Sequence, residues 1–111
     1  METLLAEKLE TVMTRSIANT RMRDFYDIYV ISLYQTVDYE VLSKAFSNTS
    51  EKRGSIGTVP QFMEIIDAVG NNKAMQKEWD NYKSDTFFVG ELNWGDVIKQ
   101  VKRVIEELQL Y

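Results

Sequence analysis

Residues 21–34 have the sequence RMRDFYDIYVISLY, and this stretch decides the fold class of the chain. Its large apolar residues recur at the three- and four-residue intervals of an amphipathic helix. When Phe25 is placed at zero on a helical wheel, Asp24 falls near ~−100°, between Ile28 and Ile31. The stretch therefore predicts a half-buried helix with a carboxylate inside its apolar arc.

The rest of the chain favours the same class. Proline occurs once and glycine five times in 111 residues, and no stretch shows the two-residue period of a strand. We predict an all-α fold, a single compact bundle of about six helices spanning one domain, residues 1–111. The expected helices cover roughly residues 3–15, 21–35, 39–53, 59–70, 73–83 and 94–111. The boundary signals are helix caps and a glycine stop: Asn19 or Thr20, Asp38, Gly54, Thr58 and Asn93.

Composition excludes several kinds of function. Cysteine and histidine are both absent, so the chain cannot form a disulfide, a thiol nucleophile, a Ser-His-Asp triad or a Cys/His zinc site. The formal net charge of −4 argues against a broad basic surface for nucleic acid. No apolar run approaches the ~20 residues of a membrane span, and the charged N-terminal residues do not resemble a signal peptide. We therefore expect a cytoplasmic protein.

Asp24 needs a partner, because an unpaired buried charge costs several kcal/mol. The wheel of the first helix predicts an apolar arc that also contains two cations; its members are Leu4, Leu5, Lys8, Leu9, Val12, Met13 and Arg15. Glu7, Glu10 and Thr14 fall on the opposite side, which we expect to be solvated. The short link between the first two helices predicts that they are antiparallel neighbours. They would then bring together a cluster of Lys8, Arg15, Arg21 and Asp24.

This cluster has two interpretations. It can be a structural salt-bridge network that ties two helices together. It can also be part of a site for an anionic ligand, in which Lys and Arg bind phosphate and the carboxylate orients them or meets a metal. The two are compatible. On the same helix, Arg23 and Asp27 should point away from Asp24 and form an ordinary i,i+4 pair.

Two segments carry a family resemblance: AEKLETVMTR at 6–15 and NTRMRDFYDIYV at 19–30. They resemble the last two motifs of the AbiEii-type nucleotidyltransferases, toxins of abortive-infection toxin–antitoxin systems that are grouped with MenA-like enzymes. The first motif has a Lys-Leu pair and an Arg seven residues after the Lys. The second has Arg-x-Lys-Asp-x-x-Asp-hydrophobic. The matching residues are Lys8, Leu9, Arg15, Arg21, Asp24, Asp27 and Ile28, with Arg23 in place of the usual Lys.

The resemblance implies a function for the cluster. Family members have a nucleotidyltransferase core, with a Gly-Ser motif and paired aspartates that bind Mg²⁺ and a nucleoside triphosphate, followed by a helical C-terminal part. They transfer nucleotides to RNA, with tRNA 3′ ends as one substrate. By this resemblance Lys8 and Asp24 are the catalytic residues, and Lys8, Arg15 and Arg21 bind the nucleotide phosphates. No metal ligand is assigned to this chain.

The sequence departs from the family pattern in one respect. Its one Gly-Ser pair, Gly54-Ser55, is not followed by an Asp-x-Asp motif. We therefore expect that the core is missing and that the polypeptide alone is inactive and binds no cofactor. It would be a degraded toxin, an expressed fragment or half of a split enzyme. The expected partners are the missing core or an antitoxin, a second copy of the chain in a homodimer, and RNA only in the full-length context. The alternative function is a non-enzymatic helical module that dimerises or binds an antitoxin.

The remaining aromatic and aliphatic residues have open roles. Core packing is the expected role of Trp79 and Tyr82, with base stacking as the alternative. Residues 84–93 predict a loop whose Phe87 and Phe88 pack inward, or else face the missing domain. The last helix has an apolar stripe that predicts either core or pairing with a copy of itself: Val97, Ile98, Val101, Val104, Ile105 and Leu108.

Overall fold

The computed structural model describes residues 1–18, 21–53 and 59–108, which form six α-helices and no strand. The helices are α1 (Glu2–Arg15), α2 (Met22–Tyr34), α3 (Tyr39–Arg53), α4 (Val59–Asn71), α5 (Lys73–Asp85) and α6 (Trp94–Leu108). Two 3₁₀ turns lie at Ser16–Ala18 and Phe87–Val89. The predicted all-α class and the helix count are confirmed, and the ends of the described helices fall within a few residues of the expected ones.

Side-chain caps explain where three of the helices begin. At α3, Asp38 Oδ1 accepts a hydrogen bond from the Val41 amide at 3.2 Å, and at α6 Asn93 Oδ1 accepts one from the Asp96 amide at 2.8 Å, as predicted. Asn72 caps α5 in the same way, which the sequence did not reveal. The other predicted boundary residues lie outside the described part of the chain: Asn19, Thr20, Gly54 and Thr58. The N-cap of α2 is Arg21, so the prediction that Asn19 or Thr20 occupies this position is wrong.

The core forms where α1 packs against α2 and α3, and α6 packs against α2 and α4. The Phe25 ring meets the Trp94 ring edge to face, with centroids 5.1 Å apart. Trp79 is fully buried, and its indole nitrogen donates to the Leu92 carbonyl at 3.0 Å, so its predicted core role is confirmed. The α6 stripe is also core: Val97, Ile98, Val101, Val104 and Ile105 are buried, and Leu108 packs against them.

Helices α1 and α2 are antiparallel, as predicted. Lys8 in the middle of α1 contacts Asp24 near the start of α2, with the Lys8 Nζ 2.9 Å from Asp24 Oδ1. Glu2 at the start of α1 accepts a hydrogen bond from the amide of Asp38, beyond the end of α2, at 3.0 Å. This arrangement places Lys8, Asp24 and Asp27 in the seam between the two helices.

Two predictions about α1 are wrong. Leu4, assigned to the apolar arc, is 41% exposed, and Glu10, assigned to the solvated side, is only 3% exposed. Because α1 packs against two helices, α2 and α3, its buried arc extends further around the axis than one apolar stripe indicates. The buried Glu10 carboxylate accepts a hydrogen bond from the Thr14 hydroxyl at 2.7 Å.

The prediction that Phe87 and Phe88 pack inward is also wrong. Phe87 is 95% exposed and Phe88 is 47% exposed, whereas the next residue, Val89, is buried. These three residues form a 3₁₀ turn, which directs Val89 rather than the phenylalanines into the core. Gly90 follows with φ of +64°, a backbone conformation that favours glycine.

Candidate functional site

A lysine shared by two aspartates forms the centre of the site. Lys8 projects from α1, and its Nζ lies 2.9 Å from Asp24 Oδ1 and 3.3 Å from Asp27 Oδ2. Asp24 and Asp27 stand three residues apart on α2, so their side chains are about 60° apart around the helix axis. The long lysine stem reaches between them, and one ammonium group bridges both carboxylates.

Asp24 is deeply buried and only partly satisfied. The residue is 2% exposed, and Oδ1 is the acceptor of the Lys8 hydrogen bond. Among the described residues, no group donates a hydrogen bond to Asp24 Oδ2. The Arg21 guanidinium lies near it, with its Nε 3.9 Å away. A buried carboxylate oxygen without a hydrogen bond is costly, so this oxygen has acceptor capacity that the described residues do not use.

The two carboxylates determine the charge state of Lys8. The hydrogen bond to Asp24 raises the pKa of Lys8 above its usual value, burial opposes this rise, and Asp27 adds to it. Lys8 is therefore a fixed ammonium group at neutral pH. It can neutralise an anion, whereas a role as a proton acceptor would require it to lose this stabilised charge.

Asp27 is the member of the site whose position sequence reasoning missed. The predicted pair with Arg23 is present, at 3.3 Å, but Asp27 does not point away from Asp24; both carboxylates meet at Lys8. The helical wheel gives the correct angle between Asp24 and Asp27. It does not account for a lysine on the neighbouring helix that is long enough to contact both carboxylates. The three-residue spacing of two aspartates opposite a lysine was the available signal.

Beside this centre is an open surface pocket of about 360 Å³ between α1 and α2. It is lined by Leu4, Glu7, Lys8, Thr11, Arg15, Arg21 and Asp24. The predicted cluster of Lys8, Arg15, Arg21 and Asp24 is therefore brought together at one place. Its members differ in their contacts, since none of the described residues forms an ion pair with Arg15, which extends into solvent.

The shape of the pocket bears on the two interpretations of the cluster. A purely structural network should be closed over by aliphatic side chains, whereas Lys8 and Asp24 here line an open cleft in which Leu4 is the aliphatic neighbour. Three cations face two carboxylates in this lining, so the pocket carries an excess positive charge on a chain of net charge −4. The arrangement can hold a small anionic group, such as a phosphate.

A divalent metal does not fit these residues in the same way. Within residues 1–18, 21–53 and 59–108, no three acidic side chains cluster closely enough to hold a metal ion. Asp24 and Asp27 already share the Lys8 ammonium group, which occupies the position between the two carboxylates where a cation would bind. Within the described residues, this pair of carboxylates therefore already has its counter-ion.

Fold and pocket together define an all-α domain that gathers a lysine, two arginines and a buried carboxylate at one open pocket. The family model described as nucleotidyl transferase AbiEii toxin, type IV TA system, matches residues 1–105, and the chain belongs to this family. The resemblance found in the first two helices therefore extends over nearly the whole chain. No curated protein and no solved structure matches it significantly.

The family description identifies a toxin of a toxin–antitoxin system. None of the helices within the described residues is both long and apolar enough to cross a membrane.

Proposed function

We propose that this chain is the helical C-terminal part of an AbiEii-type nucleotidyltransferase toxin and contributes half of its active site. The observation that carries the proposal is the Lys8–Asp24 contact of 2.9 Å at an open pocket with cations in its lining, where no described residue donates a hydrogen bond to Asp24 Oδ2. A nucleotidyltransferase core would complete the site and supply what this sequence lacks, a Gly-Ser motif followed by Asp-x-Asp. The chain alone would be inactive.

The proposed role of each residue follows from the chemistry of its side chain. Lys8 and Asp24 are the proposed catalytic residues, with the Lys8 ammonium group neutralising charge on a phosphate. Arg15 and Arg21, at the pocket rim, would hold phosphate oxygens through the paired N–H groups of their guanidinium ends. Asp24 and Asp27 orient Lys8 from two sides, and Asp24 Oδ2 can accept a further hydrogen bond.

The nucleotide and the metal would bind in the complete enzyme, which includes the core. A nucleoside triphosphate would place phosphates against Lys8, Arg15 and Arg21, and RNA such as tRNA would be the acceptor. Mg²⁺ would be held by aspartates of the core, since the described residues of this chain do not fit it. Bound there, Mg²⁺ would neutralise charge on the phosphates and align them.

Phosphate binding by the chain alone tests the half-site. Titration with inorganic triphosphate, followed by NMR of the Lys and Arg side chains, should shift the signals of Lys8, Arg15 and Arg21. Lys8→Met should weaken this binding about tenfold or more, because a charge-assisted hydrogen bond is lost. Lys44→Met is the matched control, since Lys44 forms an exposed pair with Glu40 on α3. Triphosphate shifts confined to Lys44 and other surface lysines would refute the half-site.

Activity tests the claim that the chain alone is inactive. The chain incubated with tRNA, labelled triphosphates and Mg²⁺ should give no incorporation above a protein-free control. Robust incorporation that Lys8→Met abolishes would contradict the claim of inactivity and keep the site. Incorporation unaffected by Lys8→Met would contradict both.

A second candidate is a non-enzymatic module that dimerises or binds an antitoxin. It is favoured by large apolar residues that remain in solvent at the end of α2, where Leu33 is 45% and Tyr34 is 74% exposed. Light scattering at micromolar concentration tests it: a dimer that Tyr34→Ser converts to a monomer would support it. A monomeric wild type that also fails to bind an antitoxin would exclude it.

A further inference from the structure

We propose that the exposed Phe87–Phe88 pair, with Arg23 beside it, is a stacking subsite for an unpaired nucleobase whose phosphate reaches the Lys8 pocket. The proposal rests on the half-site described above and adds to it where the base of the nucleotide or RNA strand lies. The 3₁₀ turn Phe87–Val89 and the first turns of α2 form this subsite, beside the cluster of Lys8, Arg15, Arg21 and Asp24.

The first observation is that neighbouring aromatic residues hold the solvent-exposed Phe87 ring in place. Phe87 is 95% exposed, yet its ring contacts Phe88, with centroids 5.7 Å apart and planes at 80°. Phe88 in turn packs on Tyr26 at 5.4 Å, and the Tyr26 hydroxyl donates to the Phe88 carbonyl at 3.4 Å. Leaving a phenylalanine in water forfeits about 2 kcal/mol of burial, so a partner for the ring would be favourable.

The second observation is that charge contacts connect this turn to the pocket. The Arg23 guanidinium lies over the Phe88 ring, 5.9 Å from its centroid. Its Nε pairs with Asp27 at 3.3 Å, and Asp27 pairs with Lys8 at 3.3 Å. Only one arginine and one aspartate therefore separate the aromatic pair from the proposed phosphate-binding ammonium group.

The third observation is charge complementarity. The chain has a net charge of −4, but the charged side chains of the pocket and of the Arg23–Asp27 pair have a small excess of positive charge. They comprise four basic residues, Lys8, Arg15, Arg21 and Arg23, and three carboxylates, Glu7, Asp24 and Asp27. A nucleobase joined to phosphate matches both parts of this surface, because the aromatic ring stacks on Phe87 and the phosphates meet the cations.

The ligand chemistry has two sources, a free nucleoside triphosphate and the end of a single-stranded RNA. A base analogue, 2-aminopurine, loses fluorescence when it stacks on an aromatic ring. The experiment therefore titrates the full chain into 2-aminopurine riboside triphosphate in one arm and into a short single-stranded RNA with 2-aminopurine at its 3′ end in the other. Quenching with only one of these two ligands identifies that ligand as the source of the base.

Variants separate stacking from simple apolar contact. Phe87→Trp should keep or increase the quenching, because it retains a large flat ring. Phe87→Leu should reduce affinity about fivefold or more, since it keeps the apolar character but removes the ring. Tyr34→Leu is the matched control, an exposed aromatic residue at the far end of α2, and should have no effect. Thermal unfolding of each variant checks that the fold is intact.

The outcomes distinguish this inference from the half-site. Equal affinity of wild type and Phe87→Leu, or no quenching by wild type in either arm, would overturn the stacking subsite. If triphosphate binding still depended on Lys8, the half-site proposal would remain supported. A ring that instead docks on protein would give self-association that Phe87→Leu retains and Phe87→Ser abolishes, and this result would also overturn the inference.

Discussion

Replacing Lys8 with Met should destabilise the fold, because Asp24 depends on this one residue. Methionine matches the lysine stem in length but carries no charge and no hydrogen-bond donor. In the variant Asp24 Oδ1 loses its donor at 2.9 Å, and Oδ2 already has none among the described residues. The Arg21 guanidinium lies 3.9 Å from Oδ2 at the exposed rim of the pocket, so it cannot supply hydrogen bonds to both oxygens of Asp24.

The size of the effect follows from burial. Removing one partner of a buried ion pair costs about 3–5 kcal/mol. Here Asp24 is buried, but the Lys8 side chain is 20% exposed, so water can partly solvate the aspartate after the change. We therefore expect a loss of about 2–4 kcal/mol in the free energy of unfolding. Replacing both residues, in Lys8→Met with Asp24→Leu, should recover most of the loss, because no buried charge remains.

Urea denaturation monitored by tryptophan fluorescence measures this effect. Trp79 and Trp94 are both buried, so unfolding exposes them to water and changes their emission. Lys44→Met is the control, because Lys44 and Glu40 form a pair 3.9 Å apart that is largely in solvent and should be worth nothing measurable. A loss below about 1 kcal/mol for Lys8→Met would refute the argument, as would a double variant that loses the sum of the single losses.

The pH dependence of this difference has a defined sign. The pKa of Lys8 is raised in the folded state, chiefly by its hydrogen bond to Asp24, so the unfolded chain loses the proton first as pH rises. The contribution of Lys8 is complete below its usual pKa of 10.5 and is lost as pH rises through the raised folded value. The gap between wild type and Lys8→Met should stay constant from neutral pH to about pH 10 and narrow above it.

Three further changes test packing and helix capping elsewhere in the fold by thermal unfolding. Tyr82→Phe should be neutral or stabilising by up to about 1 kcal/mol, because none of the described residues hydrogen-bonds the buried Tyr82 hydroxyl. The variant should also lose less stability at alkaline pH, because burial raises the pKa of Tyr82 in the folded state. Gly70→Ala should cost about 1–3 kcal/mol, because a Cβ there would lie 2.9 Å from the Ile98 γ2 methyl group; Ile98→Leu in the same chain should relieve part of it. Asn93→Ala should cost about 1 kcal/mol through loss of the α6 cap, whereas Asn93→Asp should keep it. A stable Gly70→Ala variant, or a harmless Asn93→Ala, would show that these contacts are absent in solution.

Local signals were sufficient for much of the site. The position of Asp24 between two isoleucines required a cation, and Lys8 and Arg15 on the preceding helix were the available ones. The structure confirms the Lys8–Asp24 contact and places Arg15 at the same pocket, although none of the described residues pairs with Arg15. Asp38 and Asn93 were recognisable as caps, because a cap depends only on the residues of one turn.

The sequence by itself determined the helices, the caps at Asp38 and Asn93 and the need for a charge partner at Asp24, since these depend on helical period and on neighbours a few residues apart. The tertiary structure decided which side of each helix meets another. It buried Glu10 against a second packing helix, brought Asp27 to Lys8, and left Phe87 in solvent while Val89 turned inward. A wheel gives the angle of a side chain around one axis, whereas burial depends on how many neighbours surround that axis, and only the packed bundle sets that number.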